Sequence, residues 1–327
     1  MVSSFVSPLA TALRGFALSI SCACACSCGN GSPAPAPSDG GSPPSGWRSA
    51  VGAGGVFAQT FDDVEWRTRS VAPGALRGVA CVGNLTGWVA GDGGFVAHTD
   101  DGGATWRKQD AHVTGTLYAV RFGTTSVGVV AGAHGVLAVT HDGGATFRVV
   151  PALTTATLRS AAVTRDGMRI IVVGDAGAVL RSSDSGATWS AGTITSADLR
   201  GVAVDPDAHV VLAVDASGGV WSSTDRGESF TTEATAPAPL DAVAVSDDGS
   251  QAFAVGAAGT VLVRNSARAW SLVASRTRAD LHAALISEGR AYAAGESGTL
   301  LGSDDAGRSW RARNLGTTAA LYGMDDL

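Results

Sequence analysis

The chain has 327 residues, of which 45% are hydrophobic, enough to build a large domain with a substantial core. Its formal net charge of −6 disfavours a nucleic-acid partner held by general electrostatic attraction. The 44 glycines are too many for a helical protein and suit a fold with many tight turns.

The first 45 residues differ in composition from the rest of the chain. Residues 1–28 resemble a secretory signal, because Arg14 precedes a short apolar run that small residues follow. Simple cleavage and lipidation at Cys22 both stay open, since Leu18 lies one position too far from Cys22 for a regular lipoprotein site. Residues 29–45 are rich in Pro, Ser and Gly and predict an extended linker. We therefore expect an exported protein that is periplasmic, anchored to a membrane by a lipid, or extracellular.

Cysteines are concentrated in the N-terminal segment, at Cys22, Cys24, Cys26 and Cys28. We predict no metal site there, because the tract has neither a histidine nor a second cysteine cluster nearby. Cys81 stands alone on a predicted strand, and we expect it to be a small core residue rather than a nucleophile.

From residue 46 onward the sequence repeats with a spacing of 40 to 42 residues. One marker of the period is an aromatic residue, found at Trp66, Trp106, Phe147, Trp189, Phe230, Trp270 and Trp310. A second marker is a leucine that opens a short apolar strand, at Leu76, Leu117, Leu158, Leu199, Leu240, Leu281 and Leu321. A fixed period of this length is typical of propellers and other repeat architectures.

Each repeat predicts four strands, here named A to D. In the first complete repeat these are A at 76–82, B at about 87–90, C at 95–99 and D from Trp106. A glycine-rich turn joins B to C, and glycine supplies the positive φ that tight hairpin turns require. The fourth repeat departs from this pattern, because Asp215 replaces the first glycine of the turn. Four short antiparallel strands per repeat are typical of a propeller blade.

The two ends of the repeat region complement each other. Residues 47–70 contain strands B to D without a strand A, and residues 321–327 form a strand A with nothing after it. Pairing them gives one shared blade in addition to six continuous ones and removes the exposed edges of an open array. We therefore predict an all-β, seven-bladed propeller over residues 46–327, closed by the C-terminal strand A against the N-terminal strands.

The turn between C and D carries the pattern Ser/Thr-x-Asp-x-Gly-x-Thr/Ser-Trp/Phe. Its aspartates are Asp101, Asp142, Asp184, Asp225 and Asp305. We predict that they accept hydrogen bonds within the turn, because each turn offers too few oxygens for calcium. The pattern has decayed at Asn265 and Ala267 and is one residue short at 60–66, where looser turns are expected.

The residue after each strand-A leucine is predicted to lie at one mouth of the central channel, on the side of the B–C turns and opposite the Asp turns. These residues are Arg77, Tyr118, Arg159, Arg200, Asp241, His282 and Tyr322. Arg, Tyr and His are residue types found at interfaces, which favours a partner-binding role. The alternative is a ring of solvated strand ends with arginine favoured by coding bias, since Lys108 is the only lysine in the chain.

The repeated turn is the Asp-box, or bacterial neuraminidase repeat. The strings at 87–94 (GWVAGDGG) and 98–106 (HTDDGGATW) resemble the Ycf48 family of photosystem II stability and assembly factors. The resemblance covers residues 46–327. It implies a seven-bladed propeller that acts without catalysis as an assembly or interaction factor for a membrane or envelope complex. It also implies an arginine patch, which Arg159 and Arg200 match best and which Arg77 extends.

This resemblance does not imply photosynthesis, and we expect a monomer with a protein partner and no cofactor. Sialidases and other glycoside hydrolases also carry Asp-boxes, so a carbohydrate-active or carbohydrate-binding propeller is the alternative. A sialidase needs an arginine triad and a tyrosine nucleophile, but its Phe/Tyr-Arg-Ile-Pro motif is missing near the start of this chain. We therefore predict no catalytic residues.

Overall fold

The computed structural model of the protein describes residues 47–63 and 65–326. The predicted signal peptide at 1–28, the linker at 29–45 and the lipidation candidate Cys22 lie outside these residues. Helical structure in the described part consists of three-residue turns, at Ala53–Gly55, Asp92–Gly94, Ala133–Gly135, Asp175–Gly177, Ala257–Gly259 and Glu296–Gly298. No helix among the described residues has the length and apolar character needed to cross a membrane.

The described residues form 28 strands, numbered in chain order. They are β1 (Arg48–Gly52), β2 (Val56–Thr60), β3 (Arg67–Ser70), β4 (Leu76–Val82), β5 (Thr86–Gly91), β6 (Val96–Thr99), β7 (Arg107–Gln109), β8 (Leu117–Phe122), β9 (Gly128–Gly132), β10 (Leu137–Thr140), β11 (Arg148–Val149), β12 (Leu158–Val163), β13 (Ile170–Gly174), β14 (Ala178–Ser182), β15 (Ser190–Thr193), β16 (Leu199–Val204), β17 (Val211–Asp215), β18 (Gly219–Ser223), β19 (Thr231–Thr235), β20 (Leu240–Val245), β21 (Ala252–Gly256), β22 (Thr260–Arg264), β23 (Trp270–Ala274), β24 (Leu281–Ser287), β25 (Arg290–Gly295), β26 (Leu300–Ser303), β27 (Arg311–Arg313) and β28 (Leu321–Asp326).

These strands form seven antiparallel sheets of four strands, which confirms the predicted seven-bladed propeller. Blades 1 to 6 are the consecutive groups β4–β7, β8–β11, β12–β15, β16–β19, β20–β23 and β24–β27. Blade 7 has the order β28-β1-β2-β3, so the C-terminal strand closes the ring as the sequence predicts. In the first repeat, strand A has the expected bounds, while C and D each begin one residue later than expected.

Marker leucines and small residues explain how the blades pack. All seven strand-A leucines are fully buried between neighbouring sheets. The third residue of each strand A is small because adjacent inner strands approach closely. A Cβ atom added at Gly78 would lie 3.0 Å from the backbone nitrogen of Val120 in the next blade. Between blades 1 and 2 the fully buried Trp88 stacks on Phe122, with ring centroids 3.6 Å apart.

The B–C turns require glycine for a steric reason. A Cβ atom at Gly174 would lie 2.1 Å from the carbonyl oxygen of Thr157, and the corresponding glycines of the other five such turns are equally crowded. Blade 4 uses a different turn, in which the Asp215 carboxylate accepts hydrogen bonds from the backbone N–H groups of Ser217 and Gly219, both at 2.8 Å. Trp221 Nε1 donates to the same carboxylate at 2.7 Å. The carboxylate therefore holds a turn that in the other blades is shaped by glycine.

Each intact Asp-box is a closed hydrogen-bonded loop. In blade 1, Asp101 Oδ1 accepts from the Thr99 hydroxyl at 2.7 Å and from the N–H of Thr105 at 2.8 Å, while Oδ2 accepts from the Thr105 hydroxyl at 2.6 Å. The N–H of Gly103 donates to Thr99 Oγ1 at 2.8 Å. The same contacts recur around Asp142, Asp184, Asp225 and Asp305. These aspartates thus bind their own turns.

Blade 5 replaces its Asp-box with an ion pair between blades. In the strand register, Arg264 pairs with Ala252 as the Asp-box residue Ser303 pairs with Ala291 in blade 6. Arg264 is 2% exposed and donates to Glu233 of β19 at 2.9 Å. Asn265 Oδ1 still accepts from the N–H groups of Ala267 and Ala269, both at 3.0 Å. The amide oxygen thus accepts two hydrogen bonds where an intact Asp-box aspartate accepts three, and the buried arginine adds a contact with blade 4.

A buried polar network fastens blade 7 to blade 6. The Asp63 carboxylate accepts from Arg48 Nη1 at 3.1 Å, from Arg290 Nη1 at 2.5 Å and from the Tyr292 hydroxyl at 2.7 Å. Arg48 is 3% exposed and Asp63 is 6% exposed. Arg48 lies on β1 beside β28, so the network sits next to the ring closure.

Candidate interaction surface at the channel mouth

The seven residues that follow the strand-A leucines line a single cavity of about 330 Å³ at one mouth of the channel. We call Arg77, Tyr118, Arg159, Arg200, Asp241, His282 and Tyr322 the rim cluster. The pairing of Leu76 with Gly91 places the start of strand A beside the B–C turn, and the Asp-boxes lie at the other ends of the sheets. The predicted placement is therefore confirmed, while a role in binding stays a prediction.

A β-bulge aims each of these side chains into the mouth. In blade 1, Leu76 pairs with Gly91 and Gly78 pairs with Ala90, so Arg77 has no partner on β5. The same register shift skips the second residue of strand A in all seven blades. Bulges reorient a side chain at the point where they occur. Sequence analysis found the positions but not the bulge that makes them converge.

Tyrosines and arginines form one arc of the mouth. The Arg77 guanidinium carbon lies 4.7 Å from the ring centre of Tyr322 and 5.9 Å from that of Tyr118. On the other side of Tyr118, the Arg159 guanidinium carbon lies 5.8 Å from the centre of the same ring. Guanidinium groups stack favourably on aromatic faces. The rings of Tyr322 and Tyr118 therefore restrict the orientation of Arg77.

Each of the three arginines contacts a carboxylate. Arg77 Nε donates to Asp92 Oδ1 at 3.1 Å, and Arg200 Nη1 donates to Asp241 Oδ1 at 2.5 Å. Arg159 contacts Asp175 through two nitrogens, and this contact raises the pKa of Arg159. Their side chains are 30% to 38% exposed. The alternative of solvated strand ends therefore stays open, although these three side chains are also held by ion pairs.

A chain of polar contacts crosses the opposite arc, from Arg200 through Asp241 and His282 to Glu296. His282 Nδ1 lies 2.9 Å from Asp241 Oδ2, and its Nε2 lies 3.0 Å from Glu296 Oε1. Partial burial opposes ionisation of Asp241, but the hydrogen bonds from His282 and Arg200 outweigh it and lower the pKa of that carboxyl. The contact with Asp241, aided by Glu296, raises the pKa of His282 against the opposing effect of burial.

The charges that line the mouth are mainly positive. Three guanidinium groups and His282 share the lining with a single carboxylate, that of Asp241. Asp92, Asp175 and Glu296 lie in or beside the B–C turns and do not line this cavity. Each of these three carboxylates contacts a residue of the rim cluster, and the residues that line the cavity itself have an excess of positive charge.

The other end of the channel carries a polar group that the sequence analysis missed. Arg121, Asp325 and Asp326 line this end together with apolar side chains. Asp325 accepts the N–H of Cys81 at 2.9 Å, and burial raises the pKa of Asp325 to about 7. The sequence did carry a signal for this group. Arg121 and Asp325 occupy the fifth position of strand A, which is Ala or Leu in the other five blades.

Cys81 lies beside this polar group and is only half-buried, which modifies the expected core position. Its Sγ lies 3.5 Å from Ser49 Oγ. Burial of the thiol group, together with the charge of Asp325, raises the pKa of Cys81, and a raised pKa disfavours the reactive thiolate. Among residues 47–63 and 65–326, no three His, Cys, Asp or Glu side chains are arranged to hold a metal ion.

Comparison with known proteins supports the resemblance. A model of the photosystem II assembly factor Ycf48 family matches residues 105–201. A solved structure described as YCF48 bound to D1 peptide is 20% identical, with a TM-score of 0.59, over 73% of this chain and 80% of that chain. YCF48 from Cyanidioschyzon merolae is 18% identical, with a TM-score of 0.61, over 75% of this chain and 86% of that chain.

The fold is shared more widely than this family. A chain of the nidogen/laminin complex is 11% identical, with a TM-score of 0.56, over 86% of this chain and 98% of that chain. A search of curated protein sequences finds no match. The solved structures thus show the propeller fold, and the match at 105–201 confirms the resemblance of this chain to the Ycf48 family of Asp-box propellers.

Proposed function

We propose that the protein is a non-enzymatic scaffold whose channel mouth binds an acidic segment of a partner protein during assembly of a membrane or envelope complex. The observation that carries this proposal is the composition of the mouth, which is lined by three guanidinium groups and one carboxylate. An anionic segment would complement this excess of positive charge.

The hydrogen-bonding capacity of the arginines supports the same role. Arg77 and Arg200 each donate one hydrogen bond to a carboxylate, and their other N–H groups have no hydrogen-bond partner among the described residues. A guanidinium carries five N–H donors in a planar arrangement that matches a carboxylate. Arg77 is also flanked by two tyrosine rings, so little side-chain entropy would be lost when it binds.

The relatives support a protein partner. The Ycf48 family match indicates an assembly factor, and one similar structure is described as a complex with a D1 peptide. A hydrolase is less well supported, because glycosidases generally use two carboxylates that flank the scissile bond. The mouth presents only Asp241, which already contacts Arg200 and His282.

We also propose that the protein is exported, with residues 1–28 as its signal and residues 29–45 as a linker. Mass spectrometry of the N-terminus from cells tests this proposal. A lipidated Cys22 supports anchoring and a cleaved, unmodified end supports secretion, whereas an intact Met1 refutes export.

A double variant tests the binding site. Arg77→Gln with Arg200→Gln removes two guanidiniums without placing new negative charge beside Asp92 and Asp241. The matched control is Arg165→Gln, since Arg165 forms an exposed ion pair with Asp247 at 3.2 Å and lies at the other end of the channel.

Fluorescence anisotropy with a labelled glutamate-rich peptide measures the affinity, and the same peptide with glutamines is the ligand control. We expect the double variant to bind at least about tenfold more weakly, as for the loss of charge-assisted hydrogen bonds. Unchanged affinity in the double variant, or equal binding of the glutamine peptide, refutes the proposed site. Pull-down from envelope extract beside a glycan array then separates a protein partner from a carbohydrate.

A further inference from the structure

We propose that His282 makes the channel mouth sensitive to pH: its imidazolium bridges Asp241 and Glu296, and loss of its proton releases Glu296 and removes positive charge from the mouth. This inference rests on the proposed function, because it concerns the regulation of the same site.

The geometry requires two donors on one ring. Nδ1 lies 2.9 Å from Asp241 Oδ2 and Nε2 lies 3.0 Å from Glu296 Oε1, so both ring nitrogens face carboxylate oxygens. A neutral imidazole has a single N–H, whereas the imidazolium has two. The bridge between the two carboxylates therefore exists only while His282 is protonated.

The contact with Glu296 is the one that deprotonation breaks. Asp241 has a second cationic partner in Arg200, and its side chain is only 14% exposed. The Glu296 side chain is 47% exposed and belongs to the B–C turn of blade 6, where water can replace the histidine. A neutral His282 therefore keeps its proton on Nδ1 for Asp241. Its bare Nε2 then repels the Glu296 carboxylate.

Groups from each neighbouring blade set the charge around His282. Asp241 faces it from blade 5, with Arg200 of blade 4 behind that carboxylate, and Glu296 faces it from blade 6 itself. From blade 7, the Tyr322 ring lies 5.8 Å from the imidazole, and Arg77 lies on that ring. The hydrogen bond to Asp241, aided by Glu296, raises the pKa of His282 above its usual 6.5.

The consequence for binding has a definite sign. Below the pKa of His282, the lining has its full positive charge and Glu296 is neutralised by the bridge. Above this pKa, the imidazolium charge is gone and the Glu296 carboxylate is unpaired at the edge of the mouth. An acidic segment should therefore bind about fivefold more weakly at pH 8 than at pH 5.5, the ratio expected for one unit charge in a partly solvated site.

NMR titration tests the bridge without any partner. We expect the His282 imidazole of the full-length protein to titrate above 6.5, and Glu296→Gln to lower that pKa because one of the two carboxylates is lost. Titration of His282 at or below 6.5, or no response to Glu296→Gln, overturns the inference whatever the protein binds.

Binding of the glutamate-rich peptide at the two pH values tests the consequence. His282→Gln should remove the fivefold dependence, while His134→Asn should keep it. His134 is an exposed histidine on the same face with a φ of 57°, a conformation that asparagine tolerates. Equal affinity of the parent at both pH values overturns this inference and leaves the binding site standing. Absence of peptide binding at both pH values refutes the proposed function and its regulation together.

Discussion

The buried network around Asp63 makes the ring closure vulnerable to one substitution, Asp63→Asn. The change keeps the shape of the side chain, and asparagine tolerates the φ of 62° at this position. It removes the negative charge that faces Arg48 and Arg290. It also replaces one carboxylate oxygen, which accepts hydrogen bonds, with an NH2 group that can only donate them. Arg48 is then left with Glu288, whose side chain is 52% exposed.

The expected loss can be estimated from the burial of the partners. Removing one member of a buried ion pair costs about 3–5 kcal/mol. Arg290 is half-exposed, so solvent screens its share, and the remaining amide oxygen still accepts one hydrogen bond. We therefore expect about 3 kcal/mol of destabilisation, which in a domain of this size lowers the melting temperature by roughly 6–12 °C.

Thermal unfolding monitored by circular dichroism, with urea unfolding as a second measure, tests this estimate. Asp110→Asn is the matched control, because the Asp110 side chain is 78% exposed and its partner His112 is 66% exposed. It should change stability by no more than about 0.5 kcal/mol. If Asp63→Asn melts together with the control, the network does not secure blade 7 and the reasoning fails.

Two further predictions concern the closing strand and the Asp-boxes. Deleting residues 321–327 removes β28, with the buried Leu321 and Met324, so a chain that melts like the parent would contradict the closure by this strand. Hydrogen bonds within the Asp-boxes lower the pKa of Asp184 and Asp305 to about 2. Because these folded values lie below the unfolded value of 3.8, the contribution is complete above about pH 4 and is lost as the pH falls toward 2. Thermal unfolding should show a lower melting temperature in that window, with the effect reduced by solvent because these carboxyls are exposed. A melting temperature unchanged down to pH 2 would contradict this account.

The repeat made the fold predictable because its signals are local. The glycine of each B–C turn is required by a nearby carbonyl oxygen, and the leucine and small residues of strand A are required by the adjacent blade. Such constraints recur with the period of the chain, so the number of blades and the position of the rim cluster could be read from spacing. Asp215 shows the limit of this reasoning. Its departure from the glycine pattern was visible in the sequence, but the hydrogen bonds by which its carboxylate holds the turn could not be predicted.

Contacts between repeats could not be predicted in this way. Arg77 and Arg159 contact aspartates of their own B–C turns. In the turn of blade 4 Ala216 replaces this aspartate, and Arg200 contacts Asp241 of the next blade. The partner of a rim arginine thus depends on a side chain that the period does not specify. The contacts of Asp63 with Arg290 and Tyr292 are similarly set by the meeting of two distant parts of the chain.

The shared blade has a consequence for how the molecule is made during synthesis. Of the described strands, β1–β3 are translated first and β28, which carries Tyr322, is translated last. Ser49 and Asp325, which meet in this blade, are 276 positions apart, and contacts of such long range form late in folding. A nascent chain therefore holds an open array of blades with an incomplete rim cluster. Only a chain in which β28 has docked presents all seven side chains at the mouth, so partner binding would select molecules whose ring is closed.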